Sequence, residues 1–109
     1  MSDITYFTKV QNDVEKWITD LGFKVKSEVD VENFRADLAI NELGMIVEVD
    51  GPSHRRIKGG GKLINNEKDP KASKRDKKLL SYYPNGIFHV SVDIDEETFK
   101  KEFERILKS

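Results

Sequence analysis

Two alternating segments joined by a short turn constrain the fold of this chain more than any other feature. Residues 34–40 and 45–50 alternate apolar and polar side chains, which is typical of strands with one buried face. The residues between them, Asn41–Gly44, have turn chemistry. With that connection the numbers of facing residues add up to 85, so Ile40 faces Met45. The segments predict an antiparallel hairpin whose apolar face consists of Phe34, Ala36, Leu38, Ile40, Met45, Val47 and Val49.

The other face of this hairpin carries three carboxylates. The same register sets Asp37 opposite Glu48, and strand alternation puts Asp50 on that face together with Arg35. Facing carboxylates repel, so the pair costs stability unless a cation or a raised pKa relieves it. Oxygen ligands at this spacing suit Mg²⁺ or Mn²⁺. We therefore predict all three acids as metal ligands and catalytic residues; the alternative is a solvent-facing acidic surface on which Arg35 neutralises Asp50.

The rest of the chain predicts helices and strands around the hairpin. An apolar stripe over residues 4–21 indicates a helix that starts near Ser2 or Asp3 and ends at Gly22. Residues 23–29 alternate and predict a strand.

The second half of the chain begins with a stretch that lacks periodicity. Residues 55–68 contain three consecutive glycines and predict a mobile loop. Asp69-Pro70 has the chemistry of a helix start, and residues 87–92 are apolar enough for a buried strand. A last helix is predicted to begin at an Asp95 cap, with these residues facing the core: Phe99, Phe103, Ile106 and Leu107.

These elements predict an α/β fold with the order α-β-β-β-α-β-α. The expected architecture is a single domain over residues 1–109, in which helices flank a small mixed sheet. The β-α-β step through the second helix is expected to be a right-handed parallel crossover.

A near-neutral net charge of -1 conceals a basic segment. Residues 52–78 contain ten Lys and Arg against three acids, which gives +7 and leaves -8 on the other residues. A solvated loop and helix face is the plain interpretation of such a segment, and a surface that holds nucleic acid is the functional one. Helical spacing of i, i+3, i+4 and i+7 puts four of these cations on one side. The predicted nucleic-acid contacts are Arg55, Arg56, Lys71, Lys74, Arg75 and Lys78.

The composition excludes several classes of site. The chain has no cysteine, so it has no disulfide, thiolate zinc site or cysteine nucleophile, which fits a reducing compartment. Its apolar runs, such as Met45–Val47, are too short to span a bilayer, and its polar start is unlike a signal peptide. The expectation is an intracellular protein, cytoplasmic by default, without a membrane partner.

The hairpin and the segment after it also resemble a known family. The order of elements, with Asp37 followed after ten residues by Glu48-Val49-Asp50, resembles the PD-(D/E)XK nuclease-like fold. More narrowly, residues 34–40 (FRADLAI) and 46–54 (IVEVDGPSH) resemble the RAP domain, a small RNA-associated module related to very-short-patch-repair-type endonucleases. The helix sequence KRDKKLL at residues 74–80 fits that family too. The resemblance covers nearly the whole chain and implies a restriction-endonuclease-like fold, RNA in preference to DNA, and metal-dependent phosphodiester cleavage.

Two positions depart from the family pattern. Ala36 precedes the first acid where the family has proline, and Asp50 stands at the position of the usual catalytic lysine. Either the role of that lysine moves to the following helix, which nominates Lys74, Lys77 or Lys78, or the domain binds RNA without cutting it.

One histidine completes the predicted site. His54 follows the third strand beside the acidic face, and the resemblance implies a histidine there that acts as a base or orients a water molecule. Specificity could come from a partner protein, and a protein-interaction domain that uses its basic helix stays a third possibility.

Overall fold

The computed structural model describes the backbone of residues 2–50 and 60–108, and the side chains of residues 8–50 and 60–108. These ranges contain three α-helices and five strands: α1 (Ser2–Asp20), β1 (Lys26–Val31), β2 (Phe34–Ile40), β3 (Met45–Asp50), β4 (Gly61–Ile64), α2 (Lys74–Leu80), β5 (Gly86–Ser91) and α3 (Glu96–Lys108). The strands form a mixed sheet of order β1-β2-β3-β5-β4. Neighbouring strands are antiparallel except β3 and β5, which are parallel. The predicted α/β class with a small mixed sheet is therefore confirmed.

The hairpin of β2 and β3 has the register that the sequence predicts. Ile40 pairs with Met45 and Leu38 pairs with Val47. The connection is a single 3₁₀ turn that ends at Gly44, whose φ of 61° is in the left-handed region that favours glycine. The strand alternation therefore places Glu48 and Asp50 on the same face of the sheet as Ile46, and Met45, Val47 and Val49 on the other.

Each face of the sheet is covered by a separate apolar cluster. One face packs against α1 and α3, where the rings of Phe99 and Phe103 stack with centroids 5.4 Å apart. The other face packs against α2 through Leu79 and Leu80. Phe34 and Ala36 belong to this second cluster, so their predicted place beside Leu38 is wrong.

The change of face in β2 coincides with a break in its pairing with β1. Ser27 pairs with Leu38 and Val29 pairs with Ala36, but no pairing joins the two residues between them. At this point Glu28 has a φ of 52°, which is unusual for a residue with a side chain. The irregular backbone of β1 leaves Asp37 outside the regular β1–β2 ladder.

The predicted mobile loop contains a strand, so the predicted order α-β-β-β-α-β-α is wrong. Residues 61–64 form β4, which pairs with β5 from Gly61–Val90 to Ile64–Ile87. Ile64 is buried beneath α2, and this burial stabilises the strand. A segment of four residues is too short to show a strand period in the sequence. The described order is α-β-β-β-β-α-β-α. Residues 55–59 of the predicted loop lie outside the described residues.

Two predicted helix and strand boundaries also differ. β1 begins at Lys26 and not at residue 23. α2 begins after a Ser73 cap, whereas the Asp69 side chain accepts the Lys71 N–H at 2.8 Å within a turn. In α3 the Asp95 cap is confirmed by a bond from the Thr98 N–H at 2.7 Å. The predicted core position of Leu107 is wrong, because 39% of that residue is exposed.

Gly86, which starts β5, should not tolerate a side chain. Its φ is 128°, and an added Cβ would lie 2.6 Å from the Leu63 side chain. Gly86→Ala is expected to lower the free energy of unfolding by about 3 kcal/mol, since strain and overpacking add. Gly22 has a φ of 99° but open space around it, so Gly22→Ala should cost only about 1 kcal/mol. Urea unfolding measures both, and equal losses would contradict the overpacking at β5.

Candidate functional site

Asp37 and Glu48 meet where the hydrogen-bonded ladder of β2 and β3 ends. The backbone N–H of Asp37 donates to Glu48 Oε2 at 2.7 Å, and the backbone N–H of Val49 donates to Asp37 Oδ2 at 2.8 Å. Each carboxylate thus accepts a backbone N–H at the acidic pair, where the ladder no longer continues beyond Leu38 and Val47. The structure brings together the two acids that the register predicts.

The pKa of Asp37 is raised at this acidic pair. Burial raises the pKa of Asp37 to about 6, the charge of Glu48 adds to this rise, and the Val49 N–H and the Arg75 charge oppose it. Burial and the neighbouring acid thus disfavour the ionised form of Asp37, which a further cation would stabilise.

Arg75, in the first turn of α2, supplies a cation to this pair. Its Nη1 lies 2.5 Å from Glu48 Oε1, and its Nη2 donates to the Arg35 carbonyl oxygen. The Glu48 side chain is 8% exposed and that of Arg75 is 30% exposed, so the guanidinium joins a buried acid to the surface. Arg35 itself pairs with Asp30 at 3.1 Å on the outer strand, so its alternative role of neutralising Asp50 is wrong.

A buried histidine, His89, holds the third acid. His89 lies on β5 beside Glu48 in the parallel register. Its Nδ1 is 3.0 Å from Asp50 Oδ2, and its Nε2 forms a 2.9 Å hydrogen bond with Asp76 Oδ1. The Asp50 contact lacks hydrogen-bond geometry, and these two atoms have no other hydrogen-bond partner within residues 8–50 and 60–108. Asp50 therefore contacts His89, and its charge also contributes to the raised pKa of Asp37.

Contacts within this cluster shift the pKa values of His89 and Asp76 in favour of their charged forms. Burial alone would lower the pKa of His89, but its contacts with Asp50 and Asp76 raise that pKa to about 9. Burial acts against ionisation of Asp76 as well, yet the hydrogen bond with His89 keeps the pKa of Asp76 below its ordinary value. At neutral pH a protonated imidazole lies between two carboxylates.

Neither Asp76 nor His89 is among the sequence-predicted site residues. A sequence signal existed: Asp76 lies on the apolar side of its helix with Leu79 and Leu80, and His89 interrupts an apolar strand. A polar residue at a position that is expected to be buried indicates a hydrogen-bond or ion-pair partner in the fold.

The predicted basic surface is only partly formed on α2. Lys74 and Lys77 are exposed, whereas Lys78 lies 3.5 Å from Glu32 and Arg75 turns inward to Glu48. Lys71 precedes the helix, so the predicted i to i+7 row is wrong at its first member. The remaining predicted residues, His54, Arg55 and Arg56, lie outside the described residues.

Two of the predicted metal ligands suit a divalent cation. Within residues 8–50 and 60–108 no group of three or more His, Asp or Glu residues is arranged to hold a metal ion. Mg²⁺, however, is usually held by one or two carboxylates together with water and phosphate oxygens. The oxygens of Asp37 and Glu48 that accept N–H groups each retain a second lone pair. Their chemistry therefore fits Mg²⁺ or Mn²⁺, with Asp50 turned to His89.

His89 should make stability depend on pH in the absence of divalent metal. Its pKa rises from 6.5 to about 9 on folding, so the stability that it contributes is complete below pH 6.5 and is lost as pH rises through about 9. Urea unfolding at pH 6.5 and pH 9.5 should show this loss in the parent and a smaller one in His89→Gln. An equal loss in both proteins would contradict the account of this cluster.

Comparisons with protein-family models, curated proteins and solved structures give no match to this chain. None of the helices within residues 2–50 and 60–108 combines the length and apolar character that a membrane span requires.

Proposed function

We propose that this chain is a nucleic-acid-binding domain, with RNA favoured over DNA, that cleaves phosphodiester bonds with Mg²⁺ or Mn²⁺ at Asp37 and Glu48. The observation that carries this proposal is the convergence of two carboxylates, one of them with a pKa of about 6. Two apolar residues would pair these strands without that electrostatic cost. The acids are therefore better explained by a ligand that needs both of them.

The residues around the acids have separate tasks in this proposal. A divalent ion on Asp37 and Glu48 would polarise a phosphoryl oxygen and lower the pKa of a bound water. Arg75, held on Glu48 and partly exposed, has further N–H groups for a phosphate oxygen. Lys74 and Lys77 extend this positive surface along α2, where the charge of a nucleic-acid backbone is attracted.

The resemblance to RAP and PD-(D/E)XK domains adds a histidine to this proposal, and the basic segment adds two arginines. His54 acts as the base or orients the attacking water, and Arg55 and Arg56 contact the backbone of the nucleic acid. For the cation that follows the acids in the family pattern, the sequence nominates Lys74, Lys77 or Lys78. The α2 cation that contacts Glu48 is Arg75, and in this proposal it takes that place.

A cleavage assay tests the proposed function. Labelled single- and double-stranded RNA and DNA are incubated with the protein and Mg²⁺ or Mn²⁺, and cleavage should stop when the metal is chelated. Asp37→Asn should lower the rate by about 100-fold or more, since changes even to the partners of metal ligands cost about 10- to 100-fold. Glu97→Gln, at an exposed acid of α3, is the matched control and should keep the parent rate. Cleavage unchanged in Asp37→Asn would contradict the catalytic proposal.

A second candidate function keeps the nucleic acid and omits the chemistry. The ion pair of Arg75 with Glu48 favours it, because it already neutralises the buried acid. A binding module of this kind should lose affinity for RNA as salt increases, and Lys74→Ala should reduce the salt slope by about 1. Salt-dependent binding without cleavage in either metal would select this function, and binding that ignores salt would exclude both.

A further inference from the structure

His89 connects three elements at the candidate site. From β5 it contacts Asp50 on β3 and Asp76 on α2, at 3.0 and 2.9 Å. The side chains of Asp50, Asp76 and His89 are 10%, 1% and 9% exposed. The cluster is thus nearly closed to solvent, although it carries three titratable groups.

Consecutive residues attach the first turn of α2 to the acids of β3. Arg75 contacts Glu48 directly, and Asp76 reaches Asp50 through His89. Asp76 also completes a capping box, in which the Ser73 hydroxyl accepts the Asp76 N–H and the Asp76 carboxylate accepts the Ser73 N–H. The helix has only seven residues, and these polar contacts all involve its first turn.

A solely structural role explains this cluster poorly. Buried ionic groups are often no more stabilising than well-packed apolar residues of similar volume, because desolvation offsets their attraction. The opposite end of α2 shows the simpler solution, since Leu79 and Leu80 hold it with apolar contacts. The hydrogen bond between His89 and Asp76 is directional, so unlike apolar packing it fixes orientation.

We propose that His89 is a positioning residue that, by holding Asp50 and Asp76, orients the first turn of α2 so that Arg75 stays on Glu48. This inference rests on the proposed function in one respect only. A fixed guanidinium beside Asp37 and Glu48 is useful if these acids hold a metal ion. The placement itself is a property of the protein without ligand.

The first test measures that placement without nucleic acid or metal. The guanidinium signals of Arg75 are followed by ¹⁵N NMR in the parent, in His89→Gln and in Asp76→Asn. Restricted rotation of the guanidinium is expected in the parent and lost in both variants. Val90→Ala, on the opposite face of the same strand, is the matched control for lost stability and should retain it. Restricted rotation that persists in a folded His89→Gln or Asp76→Asn protein would overturn the proposal.

The second test asks whether His89 acts through Arg75. The affinity for a labelled RNA is measured for His89→Gln, Arg75→Gln and the double variant. If His89 works by orienting Arg75, each single change weakens binding several-fold and the double variant resembles Arg75→Gln alone. Fully additive losses would overturn the proposal. A parent that binds no RNA would count against the proposed function, while the NMR result would still decide the role of His89.

Discussion

Glu48→Ala is expected to abolish metal-dependent cleavage and to lower the free energy of unfolding by about 3 kcal/mol. The carboxylate is buried, with one oxygen on Arg75 and the other on the Asp37 N–H. Its removal leaves a partly buried guanidinium without its counter-charge and a backbone donor without its acceptor. Urea unfolding followed by circular dichroism gives the stability, and labelled RNA with Mn²⁺ gives the rate.

Glu48→Gln separates the two effects. The amide keeps an oxygen for the Asp37 N–H but loses the charge, so the expected stability loss is only about 1 kcal/mol while cleavage is still lost. If Glu48→Ala were as stable as the parent, the contacts around Arg75 would contribute nothing. If Glu48→Gln cleaved at the parent rate, the acid would not be part of a metal site.

Asp76→Ala is expected to have the second large effect, a loss of about 3 to 5 kcal/mol in the free energy of unfolding. The change removes a buried hydrogen bond to His89 and one half of the capping box with Ser73. His89 then keeps one carboxylate contact, to Asp50, in a site closed to water. Thermal or urea unfolding near pH 7 measures the loss.

Ser73→Ala is the control for the cap. It removes the hydroxyl that accepts the Asp76 N–H but leaves the contact of Asp76 with His89, and an N-cap change of this kind costs about 1 kcal/mol. The difference between the two variants is the contribution of the histidine contact. Equal losses in Ser73→Ala and Asp76→Ala would contradict a stabilising role for that contact.

The sequence predicts those parts of the fold in which local pattern and tertiary packing agree. The turn at Asn41–Gly44 fixes the β2–β3 register, and the apolar stripes of α1 and α3 need only the sheet beneath them. β4 is missed because a four-residue strand that begins at the last of three glycines has no measurable period. The start of α2 is misplaced because both Asp69 and Ser73 have cap chemistry, and the contact of Asp76 with His89 favours the later one.

The candidate site, too, is predicted from the sequence only where it depends on local pattern. The meeting of Asp37 and Glu48 follows from hairpin register, which is local in sequence. The partners of Arg75 and His89 depend on how α2 and β5 return to the sheet after the crossover, and no short-range pattern contains that information. Charge spacing along a helix indicates which residues share a side, but not which of them turns toward an acid.

Paramagnetic broadening by Mn²⁺ tests most directly whether Asp37 and Glu48 hold a divalent cation. In a ¹H–¹⁵N spectrum titrated with substoichiometric Mn²⁺, the amide signals of Asp37 and Val49 should disappear first, because both N–H groups bond to the proposed ligands. Asp37→Asn should abolish this selective broadening. Uniform broadening, or earlier loss at the exposed acids of α3, would contradict the claim.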